Sequence, residues 1–294
     1  MLDTVKINHV QHISFTQSRL TDAVSVILSE LLSYEHPSNP RGFFVGLCHF
    51  RIKVGGTIQM KQLEQAVRFL EKDPLLHIDM LECIRRGNAE CLYVSETGVL
   101  LRDQPSGTCQ LSVETEGALR ECLPLLQGTD LLVCHQDFYR EFLSTALNLS
   151  FGERCYQAAY LKSEAPHPNR EAGWDIHSLD ESALPFVHQH YKMVTDEDYL
   201  LQRLHSGEMY GIFVEGKPAG FIGMHAEGSL GMLEILPEYQ RRGLAFVLES
   251  YAIYRIKEKG WTPYGQVIVG NLASMHLQQK IGMTFSEKTC YWLS

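Results

Sequence analysis

The sequence predicts an α+β fold of mixed α/β layers, built in two parts, and three observations predict it. Apolar residues recur at helical spacing in some segments and alternate at strand spacing in others. From Cys91 onward the segments read β-β-β-α-β-α-β, the order of a layered fold rather than a helical bundle. Between Lys162 and Gly173, "KSEAPHPNREAG" is polar and carries two prolines, the composition of a link. The 294 residues suffice for two cores. The expected parts are an N-terminal α/β domain over 1–168 and a second domain over 169–294.

The elements follow in order. "SRLTDAVSVILSELLSY" places Leu20, Val24, Ile27, Leu28 and Leu31 on one helical face. "GFFVGLCHFRIKV" reads as a strand or hairpin arm. "KQLEQAVRFLEK" is a short amphipathic helix with Leu63, Ala66, Val67 and Leu70 inward. "CLYVSE", "TGVLLRD" and "CQLSVE" are successive strands, and "ALRECLPLL" is a helix. "DLLVCH" is a strand, "DFYREFLSTAL" a helix and "CYQAAYL" a strand.

In the second part "WDIHSL" is a strand, and Asp180 is placed to cap the helix that follows. "TDEDYLLQRLHSG" opens with Thr195 and has Asp198 three residues later, which resembles a capping box. "MYGIFVEGKPAGFIGMHAEGSLGMLEIL" gives three strands, with Glu215-Gly216 as the tight turn between the first two. A helix starts after Gly243 with Leu244, Val247, Leu248, Tyr251 and Arg255 on one stripe. "YGQVIVGN", "NLASMHLQQKIG" and "FSEKTCYWL" close the chain as strand, helix and strand.

Composition narrows the function. The formal net charge of −9 and pI near 5.8 argue against a general binder of nucleic acid or of anionic membranes. No stretch has the length of a membrane-spanning apolar helix, and no basic start with a long apolar run suggests a secretory leader. None of the eight cysteines is spaced as C-x-x-C, and several lie in apolar runs, so buried free thiols in a reducing cytoplasm are expected. No metal is expected; His225-x-Glu227 supplies two ligands without a third.

The segment that points to chemistry is "LPEYQRRGLAFVLESY". A helix N-terminus carries unpaired N–H groups and roughly half a positive charge. Gly243 at that point lets a ligand reach the backbone, so the turn reads as a seat for an anion. Its spacing, Q-x-x-G-x-A at Gln240, Gly243 and Ala245, is neither a P-loop nor a dinucleotide fingerprint.

Together with "VIVGNLASMHLQQKIGMTF", this segment resembles the GNAT superfamily of N-acyltransferases over about 120 residues. "LPEY" and "GWTPYGQVIVGN" look like its glycine N-acyltransferase branch. The resemblance implies a C-terminal GNAT fold that uses acetyl-CoA or another acyl-CoA as co-substrate. It places the coenzyme pyrophosphate on Gln240, Arg241, Arg242, Gly243, Leu244 and Ala245, with Asn271 and Ser274 beside the pantetheine. It also places an oxyanion donor on the strand near Leu233, Glu234 and Ile235. The N-terminal part, with a similar element order from about residue 91 but no such turn, reads as a degenerate partner that does not bind coenzyme A.

Acyl transfer to an amine needs the neutral amine, hence a base. The superfamily's usual glutamate position falls at Ser229, a departure. Glu227, two residues earlier on an expected strand and so on the same face, ranks first; His225 and Glu234 are the alternatives. The superfamily's usual tyrosine on the last helix is Gln278 here, so the acid that protonates the leaving thiolate stays unassigned; Tyr264 and Tyr291 are weak substitutes. The acceptor is expected to be a small-molecule amine or amino acid, near His188, His190, Tyr191 and Lys192. The alternative is a non-catalytic acyl-CoA sensor, favoured by Ser229 and Gln278 at the two usual catalytic positions.

Overall fold

The computed structural model describes residues 57–166, 171–194 and 196–294. The expected elements around Leu20–Leu31 and in "GFFVGLCHFRIKV", together with Cys48 and Thr195, lie outside them. The first half runs α1 (Thr57–Leu70), α2 (Ile78–Arg85), β1 (Ala89–Ser95), β2 (Gly98–Asp103), β3 (Cys109–Val113), α3 (Glu116–Cys122), β4 (Leu132–Cys134), α4 (Arg140–Leu147) and β5 (Phe151–Ala159). The second half runs β6 (Trp174–Ser178), α5 (Leu184–His190), α6 (Glu197–His205), β7 (Met209–Val214), β8 (Lys217–Met224) and β9 (Leu230–Ile235). It ends with α7 (Leu244–Glu258), β10 (Tyr264–Ile268), α8 (Leu272–Ile281) and β11 (Thr284–Leu293).

Local chemistry sets the boundaries. Glu215 and Gly216 have φ of 50° and 76°, both left-handed, which suits the right-handed twist of the β7–β8 hairpin. Asp180 accepts the Ser182 N–H in a 3-10 turn ahead of α5. The α6 cap is Asp196, whose carboxylate accepts the Tyr199 N–H at 3.0 Å. Gly282, at φ 96°, ends α8 in the left-handed conformation.

The eleven strands among the described residues form one sheet in the order β1-β2-β3-β4-β11-β5-β10-β9-β8-β7-β6. Antiparallel strands, β1-β2-β3 in the first half and β6-β7-β8-β9 in the second, are followed in each half by a helix that crosses to a parallel strand: β3 to β4 through α3, and β9 to β10 through α7. The last strand of each half then pairs with the crossover strand of the other. β5 lies antiparallel to β10, and β11 lies antiparallel to β4. The cores follow this exchange. Tyr291 and Leu293 of β11 are buried in the first-half core with Leu111 and Leu143, while Ala158 and Tyr160 join the second-half core with Leu248 and Ile253. Among the described residues, no helix is long and apolar enough to cross a membrane.

Candidate active site

The two parallel pairs differ in how far they stay together. β3 and β4 hold three registered pairs, Cys109 with Leu132, Gln110 with Val133 and Leu111 with Cys134. β9 and β10 hold one, Gly265 with Leu230. A side chain at Gly265 would meet the Leu230 carbonyl at 2.8 Å, so glycine permits that single close approach. Beyond it the strands diverge, because β9 bends. Gly231 pairs with Gly223 but Glu234 with Phe221, so β9 carries one extra residue there, and Met232 has φ 55°. Such a bulge turns backbone groups out of the ladder.

At the diverging end, a 3-10 turn over Pro237–Tyr239 leads into α7. Arg241 and Gly243 have φ of 60° and 91°, and Gly243 is the N-cap with no side-chain hydrogen bond to the helix. The first intrahelical bond is Val247 N–H to the Gly243 carbonyl. The N–H groups of the first turn therefore face a cavity of about 180 Å³. Its walls include Ile235, Gln240, Arg241, Gly243, Leu244 and Ala245, all expected from the sequence, with Tyr239, Phe246, Leu277 and Lys280 in addition.

Several of the expected coenzyme residues have protein partners or lie outside the cavity walls. The Arg242 guanidinium stacks over Tyr239, 5.7 Å from its ring centre. The Gln240 amide donates to the Ile235 carbonyl at 2.9 Å rather than into the cavity. Asn271 caps α8 by accepting the Ser274 N–H at 3.1 Å, so those two groups satisfy each other. Leu233 and Glu234 sit on β9, away from the cavity walls. Lys280, absent from the sequence reading, follows the α8 stripe of Leu277 and Ile281.

The candidate bases occupy a turn, which corrects the strand expected there. β8 ends at Met224 and β9 starts at Leu230, so His225, Glu227 and Ser229 lie in the connection. Strand periodicity does not bring them together; the turn does. The Ser229 hydroxyl donates to Glu227 Oε1 at 2.5 Å, and the Tyr264 hydroxyl donates to the Glu227 carbonyl at 3.0 Å. Both Glu227 and Ser229 are buried. His225 packs on Gly231, where a Cβ would stand 2.5 Å from its Nε2, and its Nδ1 shares a 2.9 Å hydrogen bond with the Tyr199 hydroxyl.

Tyr191 joins this group through ring contact with His225 at 6.5 Å. Burial pushes the Tyr191 phenol up to about 12, so it stays protonated. Glu234 is raised above the usual carboxylate range by burial, with His190 opposing. His225, Glu227, Ser229 and Tyr191 thus converge at the start of β9, and Glu234 lies beyond the bulge.

Of the two expected tyrosine substitutes, Tyr264 is fully buried and engaged with the turn, and Tyr291 belongs to the first-half core. Gln278 turns to α7, donating from Nε2 to Glu249 Oε1 at 2.7 Å. Glu249 is buried, and the loss of solvation pushes its carboxyl up to about 7. The seven described cysteines are free thiols, and no group of three or more His, Cys, Asp or Glu among the described residues is placed to hold a metal ion.

Comparisons with known proteins bear on this geometry. Residues 207–293 match the family model described as FR47-like protein. No curated protein sequence matches the chain. Among solved structures, a Drosophila protein is similar at a TM-score of 0.61 and 17% identity, covering 82% of this chain and 96% of its own. A GCN5-related N-acetyltransferase from Kribbella flavida is similar at 0.50 and 13%, covering 74% and 94%. A GCN5-related N-acetyltransferase-like protein from Streptococcus suis is similar at 0.50 and 14%, covering 80% and 98%. The chain thus shares its fold with GCN5-related N-acetyltransferases, and its residues 207–293 match the FR47-like family.

Proposed function

We propose that the protein is an acyl-CoA-dependent N-acyltransferase, acting as an N-acetyltransferase on the amine of a small molecule or amino acid by direct transfer. The observation that carries this reading is the unsealed seam between β9 and β10, which leads to uncapped N–H groups at α7. The residues there fit a pyrophosphate. The free N–H groups, Arg241 and Lys280 line one cavity, and nothing lies within 4 Å of a Cβ built on Gly243. The likeness of "LPEY" and "GWTPYGQVIVGN" supports the glycine N-acyltransferase-like branch, and buried free thiols support a reducing cytoplasmic setting.

Acyl-CoA would supply an activated thioester carbonyl. The chain's own residues do the rest. Glu227 takes a proton from the acceptor ammonium so that the neutral amine can attack the thioester carbonyl, with Ser229 fixing one carboxylate oxygen. Backbone N–H groups around the β9 bulge, near Leu233 to Ile235, meet the developing oxyanion. The Tyr199–His225 pair borders the acceptor side.

The test is thermal unfolding with coenzyme A, acetyl-CoA, longer acyl-CoAs and ATP, beside amine-dependent thiol release. A ligand at 100 times its dissociation constant stabilises by about 2.7 kcal/mol. Acyl-CoA should give such a shift, ATP none, and Gly243→Glu should lose it. Glu227→Gln should slow release on the order of 10²-fold or more with the coenzyme shift intact. No shift with any coenzyme A species would sink the proposal; tight binding without turnover over a broad amine panel would leave only a sensor.

A further inference from the structure

The end of α2 reaches from the first half into the base of the candidate site. Glu82 is fully buried. Its Oε2 accepts the Thr262 N–H at 3.1 Å, and its Oε1 lies 3.2 Å from the Arg85 guanidinium. Arg85 donates to the Thr262 hydroxyl at 2.9 Å. Arg86 goes deeper, with a side chain only 3% exposed. Its Nη1 donates to the Gly228 carbonyl at 3.0 Å, and its guanidinium carbon stands 4.7 Å and 5.5 Å from the ring centres of Trp261 and Tyr264.

Two consecutive carbonyls of the β8–β9 turn are thus held from below, Glu227 by the Tyr264 hydroxyl and Gly228 by Arg86. The fit is specific to a glycine. Gly228 has φ 99°, and a Cβ there would fall 1.6 Å from Arg86 Nη1. The cation is an expensive way to fill this space. Its Nε lies 3.5 Å from Glu82 Oε2 in a buried ion pair without hydrogen-bond geometry, Nη2 has no hydrogen bond, and packed apolar side chains in place of the pair would avoid that cost. Beyond the pair with Glu82, the guanidinium adds a directional bond to the turn that carries Glu227 and Ser229.

We infer that Arg86, supplied by the first half of the chain, is a positioning residue for the transfer reaction, fixing the Glu227–Ser229 turn against β9 and β10. This rests on the acyltransferase reading. It also gives the first half a part in the chemistry although it has no coenzyme turn of its own. Arg86 touches no reacting atom; it sets where the carboxylate stands.

The experiment compares wild type, Arg86→Met, Arg86→Lys, Gly228→Ala and Gly228→Ala combined with Arg86→Met. It measures kcat and KM for amine-dependent thiol release, thermal shift with coenzyme A, and amide hydrogen exchange. Arg86→Met should lower kcat on the order of 10²-fold, the cost of a displaced catalytic group, with KM for acyl-CoA and the coenzyme shift unchanged. Exchange should quicken over 225–231 and not along α7. Arg86→Lys should recover part of kcat. Gly228→Ala should cost less in the Arg86→Met background than in wild type, since both act through one contact.

Unchanged kcat and unchanged exchange at 225–231 in Arg86→Met would overturn the inference. So would a loss in which coenzyme affinity and exchange change throughout the molecule, which marks a support for folding alone. Wild-type protein that shows no amine-dependent release instead overturns the proposed function. Exchange at 225–231 then decides by itself whether Arg86 holds the turn.

Discussion

The β3/β4 seam and the β9/β10 seam are built by the same strand–helix–strand crossover and end differently. Where parallel strands part, their inner backbone groups need new partners. In the first half, side chains after β4 provide them. Gln136 Oε1 accepts the Val113 N–H at 2.9 Å, and the Tyr139 hydroxyl and His135 Nδ1 each reach the Leu111 carbonyl at 2.9 Å. The Gln136 amide and His77 Nε2 close on the Ser112 hydroxyl at 2.7 and 2.8 Å. In the second half, no side-chain hydrogen bond among the described residues spans the diverging ends of β9 and β10. One seam is filled by side chains of its own half, and among the described residues the other is not.

The filled seam rests on a buried ion pair. His135 Nε2 lies 3.0 and 3.1 Å from the two Asp79 oxygens, and its other nitrogen faces a carbonyl. Both nitrogens meet acceptors only, so the ring is an imidazolium. Burial opposes both charges, yet their contact prevails: His135 is raised and Asp79 is lowered. Burial, with His135 adding to it, drives the neighbouring His77 down to about 4, which keeps it neutral. Asp79→Asn should be the largest test of the comparison. It strands a buried cation and should cost about 3–5 kcal/mol in denaturant unfolding. The pair's contribution is complete above 3.8 for Asp79 and below 6.5 for His135, their ordinary values, so the loss should be greatest between those pH values. A loss that ignores pH would refute the ion pair.

Between α7 and α8, polar groups are left incomplete. Glu249 Oε2 and Gln278 Oε1 are both buried without partners. A protonated Glu249 would satisfy both, by donating to the Gln278 carbonyl oxygen while accepting its amide. With its carboxyl near 7 instead of 4.5, the folded protein holds a proton that the unfolded chain releases. Stability should therefore be full below pH 4.5 and decline by about 3 kcal/mol as pH rises to about 7. Glu249→Gln should abolish that decline; wild-type stability that is flat over this range would exclude the protonated acid. A smaller effect sharpens the contrast. Gln136→Ala leaves the Val113 N–H without its partner and should cost about 1–3 kcal/mol without changing any coenzyme shift. A changed shift would mean the two seams are not independent.

Local patterns made much of this legible. Alternation marked β1–β3 and β7–β9, Glu215-Gly216 marked its hairpin, and Gly243 marked the start of α7. Residues 225–231 misled because "HAEGSL" alternates like a strand, while the β8–β9 connection makes them a turn. The bulge at Met232 follows Gly231, a glycine inside the strand, but the left-handed residue is Met232 itself, which its residue type does not signal. Gln240 and Asn271 were read for the coenzyme by position, and the structure adds that each also bonds nearby backbone, which only geometry reveals.

The sequence by itself determined the order of the described elements and the glycine turn at Gly243, because these depend on residues within a few positions of one another. Tertiary structure alone decided the rest. The exchange of β5 and β11 between halves joins residues more than a hundred positions apart, and no short-range periodicity encodes such pairing. Arg86 meets Gly228 across 142 positions and Asp79 meets His135 across 56. Their charges hold a place only because burial withholds water, and burial belongs to the assembled sheet and not to any one segment.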